Sequence, residues 1–286
     1  MDHHFILTRF NIFIWTKDKN GSKVRTRTWL EHRFALFERF CLPSIKYQTC
    51  KDFEWIVLFD TYTPKDFKEM ITQYLSECPQ MSPVYVEPKN ARHFAEIFRA
   101  EVLTRLSNRR LKKEDRVVTT YLDNDDAINV RFVEDLQKRA RSFSDKTFLY
   151  YTDGYQFFVD HKYLMRMRHP RNHFVSVVEN ANSETLKTIY GYGSHYFIDR
   201  IPGVKIERVI DLPMWCEVVH EKNMGNDAYS IRARMVAEGE SLMALNYGVQ
   251  EEVKYSLGLY LFDFIPRRLK RFVRGIKSRI RGYQFE

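Results

Sequence analysis

Four cysteines, Cys41, Cys50, Cys78 and Cys216, are scattered through 286 residues without a CxxC pair. That absence argues against a zinc knuckle and against a secreted disulfide framework, so a reducing, cytosolic setting is the simplest expectation. Long hydrophobic runs are missing as well. No uninterrupted apolar stretch approaches the ~18 residues that read as a membrane-spanning helix. The opening segment "MDHHFILTRFNIFIW" is apolar but is broken by Arg9 and Asn11. It has no basic region ahead of the apolar run and no small-residue cleavage site, so it is not expected to be a signal peptide. Internal repeats, low-complexity linkers and a clear domain break are also lacking.

What is present is core-forming material. Hydrophobic residues make up 44% and aromatics 15%, enough for a large α/β core and too much for a disordered chain. The net charge of +9 suggests anionic partners, but eight Lys or Arg and no acid lie between Pro266 and Arg281. The body is therefore near balance, and net charge alone does not argue for nucleic acid.

Strand and helix patterns alternate along the first half. "HFILTRFNIFIW" reads as a buried first strand, and Leu30, Phe34, Phe37 and Cys41 share one face of a helix over 28–40 that Pro43 should stop. "FEWIVLFD" (53–60) has the continuous apolar run of a strand covered on both faces. Thr63 as N-cap and Pro64 at the first helical position open the next helix, with Phe67, Met70, Ile71 and Tyr74 on its apolar face. "SPVYVE" (82–87), a helix over 91–106 and the strand "RVVTTYLD" (116–123) follow. This alternation predicts a mainly parallel sheet with helices on both faces, in which ligands bind beyond the carboxyl ends of the strands. From about residue 148, short aromatic strands are expected at "FLYY", "YQFFV", "HYFID" and "KIERVI".

The fourth strand runs into "YLDNDDA" (121–127), which crowds Asp123, Asp125 and Asp126 together. Residues i and i+2 of an extended segment face one side, so Asp123 and Asp125 point together, and a turn would bring Asp126 near. Hard cations such as Mn2+ or Mg2+ take carboxylate and phosphate oxygens and would remove the repulsion. The same acids would also serve a helix start, as an N-cap with companions favoured by the helix dipole.

Several blocks together resemble a bacterial putative rhamnosyltransferase family of glycosyltransferases with the GT-A (nucleotide-diphospho-sugar transferase) fold. They are "LTRFNI" (7–12), "RTWLEHRFALFERFCLPSIKYQT" (27–49), "FEWIVLFDTYTP" (53–64), "TTYLDNDDAI" (119–128) and "WCEVVHEKNMGN" (215–226). The resemblance implies metal-dependent transfer of a sugar from a nucleotide-sugar donor. Asp123 would then approach the ribose or the metal, Asp125 would be the principal metal ligand, and Asp126 would assist or orient the sugar. His220 stands where such folds place a histidine that completes the metal site, and a neutral imidazole adds no negative charge to two carboxylates. Arg9 and Asn11 lie where the donor base and ribose are held, with Arg33 as a phosphate candidate and Asp60 as a base or ribose contact.

An inverting transfer needs a general base, for which Asp153 and Glu179 are candidates because each follows an apolar run; a retaining one does not. The two histidines of "HPRNH" (169–173) are not expected to form a zinc site, since Pro170 breaks any helix that would align them. "GYGSH" (191–195) reads as a turn rather than a phosphate cradle. The expected architecture is an α/β, GT-A-like domain over residues 1–225 with a mainly parallel sheet and flanking helices, followed by a helical, basic C-terminal appendage over 226–286. The resemblance further implies a glycan or lipid-linked acceptor in cell-envelope or capsule polysaccharide synthesis. Residues 265–284 have the division of an amphipathic helix that lies on an anionic membrane surface, so a cytoplasmic enzyme peripheral at the membrane is expected. A metal-dependent phosphohydrolase or nuclease is the alternative. It usually needs more His and Asp ligands in separate blocks.

Overall fold

A computed structural model describes residues 2–17, 21, 23–109, 111–112, 114–182, 184–221 and 233–280. The first half alternates as the apolar pattern requires: β1 (Asp2–Arg9), α1 (Arg27–Leu36), α2 (Leu42–Lys46), β2 (Glu54–Asp60), α3 (Lys65–Glu77), β3 (Met81–Val86), α4 (Phe94–Ser107) and β4 (Arg116–Tyr121). The second half contains β5 (Ala127–Ile128), α5 (Phe132–Ala140), β6 (Thr147–Tyr151), β7 (Asp153–Phe158), β8 (Tyr163–Arg168) and β9 (Val175–Asn180). It continues with β10 (Lys205–Val209), β11 (Trp215–Val219), β12 (Arg234–Met235), α6 (Gly239–Tyr247), α7 (Leu257–Leu259) and α8 (Ile265–Ile280).

Seven strands form the main sheet in the order β10-β6-β9-β4-β1-β2-β3, and β9 alone among them runs antiparallel to its neighbours. The carboxyl ends of β1, β2 and β4 therefore open on one side, with the Asp cluster directly after β4. A second sheet, β12-β8-β7-β11-β5, packs against the first. One continuous apolar core holds Trp55 and Val118 of the main sheet together with Phe158, Met165 and Trp215 of the second. Another, built around Phe5, Ile56, Phe98, Val177 and Ile189, covers the opposite face of the main sheet. Burial of each such large side chain contributes about 1.5–3 kcal/mol.

Local departures from the sequence pattern have physical causes. Thr26 caps α1 by accepting from Trp29 N at 3.2 Å. Pro43 does not stop this helix. A π-helical turn over Phe37–Cys41 widens the chain just ahead of it, and Pro43 sits in the first turn of α2, where no amide donor is required. Thr63 does not cap α3 either: its hydroxyl donates to the Asp60 carbonyl at 2.7 Å, and Pro64 stands at the cap. β1 ends at Arg9 instead of continuing to Trp15. "HYFID" is not a strand; Ile198–Arg200 forms a short 3-10 turn. Beyond residue 225, α6 is built into the core, with Met243 and Tyr247 packed among Leu36, Phe40, Ala127 and Cys216.

Candidate active site

The segment after β4 is held by its neighbours before it holds anything else. Asn124 donates from Nδ2 to the carbonyls of Phe10 (2.7 Å) and Arg9 (3.1 Å), tying the turn to the end of β1. Arg33, on α1, donates to Asn124 Oδ1 and to Asp125 Oδ2, the latter at 2.9 Å. His220, just past β11, reaches the same Asp125 oxygen at 2.8 Å. Burial alone would raise the Asp125 carboxyl, but Arg33 and His220 outweigh it and hold it below the usual carboxylate range. Asp125 is thus a buried anion between two cationic or proton-donating groups.

Asp126 faces the other way. Its Oδ1 accepts from Val218 N at 2.8 Å, and its Oδ2 accepts from His173 Nε2 at 2.7 Å. Burial pushes the Asp126 carboxyl up, with Asp125 and Asp123 adding to the rise against the pull of His173. On His173, burial is outweighed by the hydrogen bond and charge of Asp126, so its imidazole is raised. Both partners are thus raised, Asp126 by burial and His173 by contact with Asp126, and their 2.7 Å hydrogen bond ties the start of β9 to the turn after β4. Asp123 completes the group: one ligand atom each from Asp123, Asp126 and His173 lie within 4.8 Å of one another. The Asp123 side chain is 32% exposed, whereas that of Asp126 is sealed. Tyr121 OH donates to Asp123 Oδ1 at 2.9 Å, and Arg9 lies 3.8 Å from the same oxygen.

This grouping differs from the expected metal set of Asp123, Asp125 and His220. Alternation along an extended segment pairs Asp123 with Asp125, but the chain turns here, and Asp126 N bonds back to the Asp123 carbonyl at 3.3 Å. The turn exchanges the partners. Asp125 and His220 are brought together, as expected of both, but they pair with each other and with Arg33. His173 was set aside because Pro170 prevents a helix. It arrives through a turn in which Asn172 donates to the carbonyls of Tyr151 and His169, each at 2.8 Å, and accepts from Phe174 N. The position of "HPRNH" immediately before the apolar run of β9 was the available signal.

The donor candidates lie around the same strand ends. Arg9 is packed against the rings of Phe94, Tyr190 and Tyr121 and donates to Tyr121 OH at 2.7 Å. Asn11 bonds Asp60 N and Thr63 Oγ1, and Asp60 pairs with Arg25 and accepts from Tyr62 N. Asn11 and Asp60 are both buried, and their polar atoms are engaged by these neighbours just past β1 and at the end of β2.

The two candidate bases lie away from the cluster. Because β9 is antiparallel, Glu179 pairs with Val117 at the start of β4, six residues before Asp123 and about 20 Å along the strand. It accepts from the amides of Lys187 and Thr188 and from Tyr192 OH, which ties down a loop. Asp153 opens β7 level with Met214, about 13 Å short of the Val218 amide that meets Asp126. Burial would raise its carboxyl, but Arg168, Thr152 and the Asp211 amide hold it below the usual range, which makes it a poor base. The acid beside the cluster is Glu217. It is buried on β11 with Gln156 donating to it at 2.5 Å, and it lines a crevice with His169, His173, His195 and Trp215. The crevice has room for about one water molecule, ≈ 10 Å³. Glu217 was not singled out from the sequence because it stands inside a strand, not at its end.

The sequence pattern described as putative rhamnosyl transferase matches residues 8–232. The chain belongs to this family. The family is described as one of sugar transferases, the class that the sequence blocks lead one to expect. Among solved structures, S. aureus TarS 1–349 is similar at 12% identity and a TM-score of 0.43, over 76% of this chain and 60% of that one. A longer S. aureus TarS structure is similar at 11% identity and a TM-score of 0.38, over 77% of this chain and 37% of that one. The chain thus spans less than two thirds of either TarS structure. No curated protein matches it significantly.

Proposed function

We propose that this family member is a metal-dependent hexosyltransferase that moves a sugar from a nucleotide diphosphate donor to a glycan or lipid-linked acceptor in cell-envelope polysaccharide synthesis. The observation that carries the reading is the convergence of Asp123, Asp126 and His173 at the carboxyl end of β4. Two carboxylates and one imidazole suit Mn2+ or Mg2+, with phosphate oxygens left to fill the remaining positions. A bound cation would replace the hydrogen bond that now joins Asp126 to His173. Its chemistry there is to neutralise charge developing on the departing diphosphate. Arg9 and Arg33 flank the cluster, and the Nε atom of each is buried without a hydrogen-bond partner among the described residues. Guanidinium groups beside the cluster support the reading, because they would complement an anionic diphosphate.

In the inverting form of this reaction the acceptor hydroxyl oxygen bonds to the anomeric carbon while the anomeric carbon–diphosphate bond breaks. The hydroxyl proton passes to a carboxylate, and the nucleoside diphosphate leaves with the bonding pair. Glu217, beside His173, is the candidate for that base. Asp125, Asn124 and Arg33 orient the turn that presents Asp123 and Asp126.

Thermal-shift measurements with UDP, GDP, dTDP and CMP, each with and without Mn2+, test the donor and the metal together. A shift that needs both nucleotide and cation is expected, and it should vanish in Asp126→Ala and in His173→Gln along with sugar transfer. An unchanged shift and unchanged transfer in both folded variants would remove the cation from this site.

A further inference from the structure

α7, a π-helical turn over Tyr260–Phe264, and α8 run as one helix from Leu257 to Ile280, about 36 Å long. One face of its first part is fastened to the body. Phe264 is buried against Phe158, Asp263 accepts from Tyr163 OH at 2.8 Å, and Arg267 joins Asp263 at 2.9 Å and lies 3.6 Å from Asp160. A different face carries apolar side chains into solvent. Leu257 is 70% exposed, Phe262 84% and Leu269 58%, and Leu261, Phe272 and Val273 are exposed beside them. At 3.6 residues per turn Leu257, Leu261, Leu269, Phe272 and Val273 form one stripe, and Ile276 and Ile280 continue it in the sequence. The side chains of residues 271 and 274–280, and all of 281–284, lie outside the described residues.

No helix among the described residues is long and apolar enough to cross a membrane. Among the described residues, nothing covers Leu257, Leu261, Leu269, Phe272 or Val273 either. The surrounding charge identifies what can. Pro266 to Arg281 carries eight Lys or Arg and no acid, so a second copy of the same helix would meet repulsion along its length. An anionic bilayer offers both complements: headgroups for the basic residues and an acyl boundary for the stripe. We propose that the helix from Leu257 to Ile280 is an interfacial anchor that lies along an anionic lipid surface, apolar stripe inward. The anchored segment holds the rest of the chain through Asp263, Phe264 and Arg267, so the catalytic body is carried on a fixed helical stem rather than a loose tail. This inference stands whether or not the sugar-transfer reading holds, because it requires no donor, acceptor or cation.

Co-sedimentation of the full-length protein with phosphatidylglycerol-containing vesicles and with pure phosphatidylcholine vesicles tests it. The comparison variant is Leu269→Asp/Phe272→Asp, at two exposed positions that make no contact with the core. Partition onto anionic vesicles should exceed that onto neutral ones by more than about tenfold at low salt, and the variant should lose it. Circular dichroism and the thermal midpoint should match between the two proteins. Absence of wild-type pelleting on anionic vesicles at low salt, or equal pelleting of a folded variant, would overturn the anchor. A concentration-dependent dimer that the variant abolishes, without vesicle binding by the wild type, would overturn it in favour of self-association.

Discussion

Asp125 and Asp126 are neighbours in sequence with opposite surroundings, and the difference is testable side chain by side chain. Buried Asp125 accepts from the half-buried Arg33 and neutralises it. Asp125→Ala therefore leaves a charge without its partner and should cost about 3–5 kcal/mol of stability, read as a lower urea midpoint with unchanged slope. A loss below about 1 kcal/mol would show that Asp125 faces ligand rather than scaffold. Glu217→Gln should cut transfer by about 10²–10⁴-fold while nucleotide affinity holds. Glu179→Gln and Asp153→Asn, whose carboxylates serve a loop and a strand end, should lower stability and leave transfer per folded molecule intact. Full transfer by Glu217→Gln, or its loss in Glu179→Gln, would reverse that assignment.

The elements that present these residues depend on close approaches. Trp215 of β11 lies over Gly154 of β7, where an added Cβ would stand 2.2 Å from the indole ring. The same indole donates to the Tyr151 carbonyl at 2.7 Å and stacks on Phe174, next to His173. Gly154→Ala should force the ring aside and cost about 1–3 kcal/mol, measured by denaturant titration. The displacement should also shift His173 and weaken the nucleotide–cation shift. An unaltered midpoint would mean that β7 and β11 separate without strain. The π turn ahead of Pro43 acts similarly at the start of the chain: it lets the α1–α2 segment continue past a proline, with Arg33 upstream of it aimed at Asp125.

At the scale of the whole molecule, the two sheets share one apolar core that includes both Trp55 and Trp215. They should unfold as a single cooperative unit. In Trp55→Phe and Trp215→Phe variants, the fluorescence transition from the remaining tryptophans should coincide with the far-ultraviolet circular dichroism transition. Separate midpoints would mark the second sheet as an independent unit.

Periodicity and apolar runs alone determined the alternating half of the molecule, because β1, β2 and β4 are buried on both faces and the helices between the strands carry one apolar side. That pattern placed the acids at the carboxyl ends of the strands, since their position follows from chain direction in a parallel sheet. Sequence blocks identified the family. Which acid meets which histidine was decided by tertiary structure. The tight turn at Asn124 inverts the alternation that would have paired Asp123 with Asp125, and His173 and Glu217 come from segments about 50 and 90 residues away in the chain, where no local period reports distance. The antiparallel course of β9 carries Glu179 to the far end of the sheet, because strand direction is set by pairing partners rather than by the strand's own residues.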